Sequence, residues 1–270
     1  MPSVLSRFRT AAVLVTLAAW LGSLLAGCGG SSNGENLPIP GQTTFGQAVP
    51  IGNGTGRGFV TVTANNIPTE VGFELTESAL QGLPLAPADE TIQYFVPLPA
   101  EASATPYVTI VAAYSTGHVP PHSGVEAVEP AHFHPVFLMN PPVPPQDPPL
   151  EDLPVAPNEI PEDHVKVGQV VPVLGSNYDD PSVPVGYPEK ATLGQNVFFH
   201  SGHMNGMHLG ETVEFLAGKG TRGGVIKQPQ VYPKPGYYPH RWSVRFDTER
   251  NTHVFVLEDF RPATQVLPQE

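Results

Sequence analysis

The sequence has little cysteine, little positive charge and few stretches suited to long helices. Cys28 is the only cysteine among 270 residues, so no disulfide and no multi-cysteine metal site can form within one chain. Lysine and arginine number 13 against 25 acidic residues, which gives a formal net charge of −12. A chain this acidic does not attract nucleic acid through its overall field, so we expect no nucleic-acid partner.

Several catalytic motifs are also missing. The chain has no H-E-x-x-H helix, no phosphate-binding loop and no dinucleotide-binding fingerprint. A His-x-His pair is present at His132 and His134, as in cupins, but Pro135 to Asn140 lacks the glutamate that continues the cupin motif. The sequence therefore favours a non-catalytic protein over an enzyme.

The N-terminal residues have the pattern of a secretory signal peptide. Arg7 and Arg9 precede an apolar run from Ala11 to Ala26, which is too short and too weakly flanked for a stable membrane span. The tetrad Leu25-Ala26-Gly27-Cys28 resembles the lipobox cut by the lipoprotein signal peptidase. The resemblance implies removal of residues 1–27 and a diacylglycerol on Cys28 that anchors the chain in a lipid bilayer. The alternative is a plain signal peptide with an incidental cysteine.

The predicted location is the outer membrane or the cell surface. Aspartate after the lipidated cysteine is the familiar signal for retention at the inner membrane, and Gly29 stands there instead. The polar, glycine-rich residues that follow predict a flexible tether over 28–44. We expect one β-rich domain over 45–265 that contains a proline-rich insertion at 140–164. This insertion is expected to be extended, solvated and outside the core, and the alternative is that it marks a domain boundary.

The composition and the residue alternation predict a mostly β fold, a sandwich or barrel-like body. The 33 prolines and 27 glycines disfavour long helices, leaving one or two short ones. Thr76 to Gln81 predicts a short helix with Thr76 as its N-cap. Turns are predicted at 178–181 and 221–224. β-branched and alternating stretches predict strands at 59–63, 70–75, 92–96, 107–114, 132–139, 167–173, 196–200, 212–216, 242–246 and 252–257, the last two as a hairpin.

The ten histidines include a first cluster made of His118, His122, His132 and His134. Residues i and i+2 of a strand share a face, so His132 and His134 can converge on one ion while Phe133 faces the core. His118, with Glu126 and Glu129 nearby, can supply further ligands. Neutral imidazoles suit zinc first and copper second. The alternative is a strand face of solvated imidazoles.

A second cluster lies in the segment from His200 to Glu211, with His203 and His208 as weaker ligand candidates. The favoured interpretation is two strand ends around a glycine turn, with Met204 and Met207 filling gaps in the core. Either His203 or His208 can still donate one ligand to the first cluster. His240 lies in an aromatic run, 237–242, that is expected to close the core and alternatively to line a ligand groove.

Several segments are similar to a small uncharacterised bacterial domain family. They are Gly117-His118-Val119-Pro120, the stretch 130–139 and the segment 238–245, together with 79–84, 98–100 and 105–108. Members of the family carry a Gly-His-x-Pro step followed by a His-Phe-Asp-x-His strand. Here His134 stands in place of the aspartate and Val136 in place of the second histidine, so only His118 and His132 correspond. A thermophile member forms a ring, so the resemblance implies a β fold and a homo-oligomer. It supplies no activity to carry over to this chain.

Three hypotheses follow. The first is a lipid-anchored protein that binds a divalent transition metal through His118, His132 and His134 without turnover. The second is a metal-dependent hydratase or hydrolase that uses the same site. The third is a metal-free structural protein that assembles into a homo-oligomeric ring.

Overall fold

The fold is built almost entirely from antiparallel strands. The computed structural model describes residues 41–85, 91–116, 130–142, 152–171, 173–180 and 192–268. These residues form fourteen strands and one short α-helix: β1 (Gln42–Phe45), β2 (Val49–Ile51), β3 (Gly54–Val62), β4 (Pro68–Thr76), β5 (Thr91–Pro97), β6 (Thr109–Ser115), β7 (His132–Leu138), β8 (Val165–Val171), β9 (Gly175–Asp179), β10 (Thr192–His200), β11 (His203–Thr212), α1 (Val213–Ala217), β12 (Arg222–Val225), β13 (Tyr237–Asp247) and β14 (Thr252–Pro262).

The strands of the described residues make two seven-stranded sheets. The first has the order β1-β3-β4-β14-β13-β12, with β2 paired to β3 at one side. The second has the order β5-β6-β7-β11-β10-β9-β8. The architecture is a β-sandwich, which confirms the predicted fold class. No helix in the described ranges is long and apolar enough to cross a membrane.

The main core lies between the two sheets. Phe73 and Leu75 of β4 and Phe255 of β14 face it from the first sheet, and Phe133 and Phe137 of β7 face it from the second. Their side chains are fully buried, with relative exposures of 0%. Burying a side chain of this size stabilises the fold by about 1.5–3 kcal/mol. A separate apolar cluster covers part of the outer face of the second sheet and includes Val136, Leu138 and Phe198.

The strands with clear alternation lie where the sequence predicts them. The hairpin of β13 and β14 is in register from Asp247 opposite Thr252 to Tyr237 opposite Pro262. β1 starts at Gln42, so the last residues of the predicted tether already pair with β3.

Four local predictions are corrected. Thr212–Leu216 is not a strand: β11 ends at Thr212, whose hydroxyl accepts a hydrogen bond from the Phe215 amide and caps α1. The predicted turn at 178–181 begins inside β9, and the one at 221–224 overlaps β12. Glu77–Leu80 is a 3₁₀ turn, and the Thr76 hydroxyl bonds to Thr55 on β3 instead of capping it.

The proline-rich segment also differs from the expectation. Ala156 and Ile160 have extended backbones on either side of a 3₁₀ turn at Pro157–Glu159, as a proline-rich chain favours. However, Glu159 is only 1% exposed, and Val155 and Ile160 pack against the main core. Most residues between 152 and 163 are exposed, as predicted, and the prediction is wrong where Val155, Glu159 and Ile160 turn toward the core.

Candidate functional site

β7 places two histidines on the outer face of the second sheet. Its alternation sends Phe133 and Phe137 into the main core, so His132 and His134 point to the opposite side. The register with β6 sets Ser115 opposite His132. The two imidazole rings lie with their centroids 4.1 Å apart and their planes at 70°. The predicted convergence of His132 and His134 on one face is therefore confirmed.

A third imidazole reaches this face from β11. His208 pairs with Val136 of β7, so it shares the outer face with the two β7 histidines. Its ring stacks on that of His134, with centroids 4.8 Å apart and planes at 17°. Nε2 of His208 lies 2.7 Å from Nδ1 of His134, so one ring donates a hydrogen bond to the other. We call His132, His134 and His208 the histidine cluster.

The backbone before β7 fixes the tautomer of His132. Nδ1 of His132 lies 2.6 Å from the Pro130 carbonyl oxygen. A carbonyl only accepts hydrogen bonds, so Nδ1 carries the proton and Nε2 of the neutral ring carries the lone pair. A backbone carbonyl on one ring nitrogen is a common way to orient a metal-binding histidine.

Burial keeps His208 neutral. Its relative exposure is 4%, and loss of hydration, followed by the charge of His132, lowers its pKa from 6.5 to about 3. A neutral imidazole is the form that binds transition metals. Nδ1 of His208 makes no hydrogen bond in the structure. This ring therefore has one nitrogen in the cluster and one buried nitrogen that is unsatisfied.

The geometry falls short of a finished metal site. Within the described ranges, no group of three or more His, Cys, Asp or Glu side chains has an arrangement that holds a metal ion. In the structure, the His134–His208 contact is a hydrogen bond, and two nitrogens that share a proton at 2.7 Å do not both direct lone pairs at one ion. Two imidazoles on a tetrahedral zinc, each at 2.0–2.1 Å, have nitrogens about 3.3 Å apart. Loading would need that pair to open by about half an ångström.

The other predicted ligands do not all lie near the histidine cluster. His203 does not join the cluster: its ring is exposed, and Nδ1 donates to the buried Glu159 carboxylate at 3.0 Å. Met204 and Met207 fill the main core, as predicted. His118, His122, Glu126, Glu129 and Cys28 lie outside the described residues. Of the two ligand candidates in the second segment, the structure brings only His208 to the first cluster.

The aromatic run around His240 closes the core. Tyr238 and Trp242 are 1% and 9% exposed and belong to the main apolar cluster. The Tyr238 hydroxyl donates to the Lys234 carbonyl oxygen at 3.0 Å. The interpretation as a core element is therefore confirmed.

Two acids have surroundings that the sequence did not predict: Glu211, which the sequence placed in the second histidine segment, and Asp179, which it placed in a turn. Glu211 is fully buried opposite Phe133, on the core side of the sheet, and its carboxylate lies 3.7 Å from Arg222. Burial raises its pKa to about 8. Asp179 of β9 lies on the outer face, in the segment that was assigned to a turn. Burial raises its pKa to about 6, although a hydrogen bond from Asn177 opposes the shift.

Comparison with protein families, with curated proteins and with solved structures gave no match to this chain.

The buried Glu211 predicts a pH-dependent stability. Since the Glu211 pKa is about 8 in the folded protein and 4.5 when exposed, the folded state binds more protons between these values. The free energy of unfolding therefore falls as the pH rises through this window. Above about pH 8 the Glu211 carboxyl is ionised in both states, and the free energy of unfolding falls no further on its account. Glu211→Gln should raise the free energy of unfolding by roughly 1–3 kcal/mol at about pH 9 and much less at about pH 5, measured by urea denaturation.

Glu249→Gln is the matched control, because Glu249 is exposed. It should leave the pH dependence as in the wild type. An equal effect of Glu211→Gln at both pH values would show that Glu211 titrates normally in the folded protein.

Proposed function

We propose that the protein is exported, anchored by a lipid on Cys28, and binds a divalent transition metal at the histidine cluster without turnover. Zinc is the first expected ion and copper the second, because three neutral imidazoles suit both. The observation that carries the proposal is the direct ring-to-ring contact of three histidines from two strands, two of them at most 4% exposed.

The free energy lost in burying these imidazole rings supports the proposal of a bound metal ion. An imidazole taken out of water loses hydrogen bonds and must find partners. Apolar side chains would fill the outer face of β7 and β11 at lower cost, as Val136 and Leu138 do on the same face. A metal ion would take the place of the proton shared by His134 and His208 and bond to both rings. These bonds would offset the free energy lost when the rings leave water. The same burial holds His208 in the form that binds metal.

The number of protein ligands separates storage from turnover. Three imidazoles leave one position of a tetrahedral ion to be filled. A fourth protein ligand, for which His118 is the sequence-based candidate, closes the site and gives capture, storage or a structural ion. A water in that position would permit hydration or hydrolysis. The chain carries no H-E-x-x-H helix, phosphate-binding loop or dinucleotide-binding fingerprint, so binding without turnover is the proposed function.

Metal content tests the proposal. The mature wild-type protein should retain about one equivalent of zinc per chain after incubation and desalting, measured by inductively coupled plasma mass spectrometry. His132→Ala/His134→Ala should retain none, because two of the three described ligands are lost. His200→Ala is the matched control: it removes an imidazole at the β10–β11 turn and should bind as the wild type does.

Two results would contradict the proposal. A wild-type protein that retains neither zinc nor copper has no such site, and the metal-free assembly hypothesis then takes its place. A double variant that binds as much metal as the wild type places the ion elsewhere.

The anchor has its own test. Cys28→Ala removes the acceptor sulfur, so the variant should lose the diacylglycerol mass and move from the detergent phase to the aqueous phase in Triton X-114 partitioning. Ser31→Ala, in the tether, should partition as the wild type does. A wild-type protein that lacks the diacylglycerol mass on Cys28 and partitions into the aqueous phase would contradict lipid anchoring at this residue.

A further inference from the structure

A row of polar residues crosses the second sheet beside the histidine cluster. Asn196 of β10 pairs with His208 of β11 on one side and with Asp179 of β9 on the other. Residues paired across antiparallel strands share a face, so all three side chains lie on the outer face with the histidines. Strands are about 4.8 Å apart, which puts Asp179 about 10 Å from His208 at the backbone, with Asn196 midway.

Both ends of this row carry a buried atom without a hydrogen bond. One is Nδ1 of His208 and the other is Oδ1 of Asp179. Unsatisfied buried polar atoms are rare in native proteins, and each needs a physical explanation. Here one atom is a ring nitrogen that can donate and the other is a carboxylate oxygen that accepts, so the two are complementary.

The contact with His134 decides which nitrogen of His208 faces which way. Nε2 lies against His134 on the cluster side. The two nitrogens of an imidazole point in diverging directions, so Nδ1 faces away from His134. A metal ion bound through Nε2 leaves the proton on Nδ1, where it needs an acceptor. Asp179, two strands away, is too distant to ligate the same ion.

The amide of Asn196 has the groups to connect the two ends. Its oxygen can accept from Nδ1–H of His208, and its NH₂ can donate to Asp179. Cβ atoms of directly paired residues are about 4.5–5.5 Å apart, which is within reach of an asparagine side chain on both sides. The Asp179 carboxylate is in turn held by a hydrogen bond from Asn177.

We propose that Asp179, acting through Asn196, is a positioning residue that orients His208 for metal binding. This inference rests on the proposed function, and it adds β9 and β10 to the site. Carboxylates behind metal-binding histidines hold the ring and raise its basicity, and their loss commonly weakens metal binding 10–100-fold.

The test compares zinc affinity in the full mature chain by competition with a chromophoric chelator at about pH 8, where the Asp179 carboxyl is ionised. Asp179→Asn keeps the shape and removes the charge, and it should weaken zinc binding about 10-fold. Asn196→Ala should have a similar effect. The double variant should be no weaker than the weaker single variant, because both changes break one connection.

A spectroscopic measurement separates orientation from general destabilisation. In the zinc-loaded wild type, the His208 Nδ1–H should give a hydrogen-bonded proton signal by ¹⁵N-resolved NMR, and Asp179→Asn should shift or broaden it. Asp259→Asn is the matched control, because it removes an exposed carboxylate that pairs with Arg261 on the other sheet. It should change neither the affinity nor the signal.

The outcomes are distinct. Unchanged zinc affinity and an unchanged His208 signal in Asp179→Asn overturn the inference while the metal site stands. The inference is also overturned if the losses of zinc-binding free energy caused by Asp179→Asn and Asn196→Ala add in the double variant. A wild-type protein without zinc overturns the proposed function and the inference together. Should Asn196→Ala fail to fold, the isosteric Asp179→Asn decides alone.

Discussion

The register of β7 between β6 and β11 is the constraint on which the candidate site depends. Side chains alternate along a strand, so a shift by one residue would turn His132 and His134 into the core and Phe133 out of it. The buried phenylalanines oppose such a shift, since each stabilises the fold only on the core side. The apolar packing between the sheets thereby fixes the histidines on the opposite face.

The second sheet carries buried and half-buried titratable side chains on both of its faces. Glu211 faces the core side near Arg222, whereas the histidine cluster and Asp179 share the outer face. Desolvation favours the neutral form of each group, so it raises the pKa of Glu211 and Asp179 and lowers that of His208. At neutral pH the outer face thus combines the neutral imidazole of His208 with a largely ionised Asp179 carboxylate two strands away.

Local patterns predicted the sandwich and two of the three histidines of the cluster, whereas the third, His208, is placed by the pairing of distant strands. Alternation in Trp242–Phe246 and in His132–Met139 has a period of two. It therefore predicts that both segments are strands and which of their side chains share a face. His208 could only be suggested, because its place beside His134 depends on the pairing of β11 with β7, which are far apart in the chain. The composition of Val213–Ala217 suits a strand and a helix about equally. The segment is helical because the Thr212 side chain caps its N-terminus. Asp179 was missed because an Asp-Asp-Pro sequence is typical of a turn, although β10 extends the sheet there.

We infer that His132, His134 and His208 bind one ion together, and X-ray absorption at the zinc edge of the zinc-loaded mature protein counts the imidazole ligands of that ion. We expect at least three imidazole nitrogens at about 2.0–2.1 Å, and one fewer in His208→Ala. A first shell of oxygens alone, or an imidazole count that is the same in wild type and His208→Ala, would contradict it.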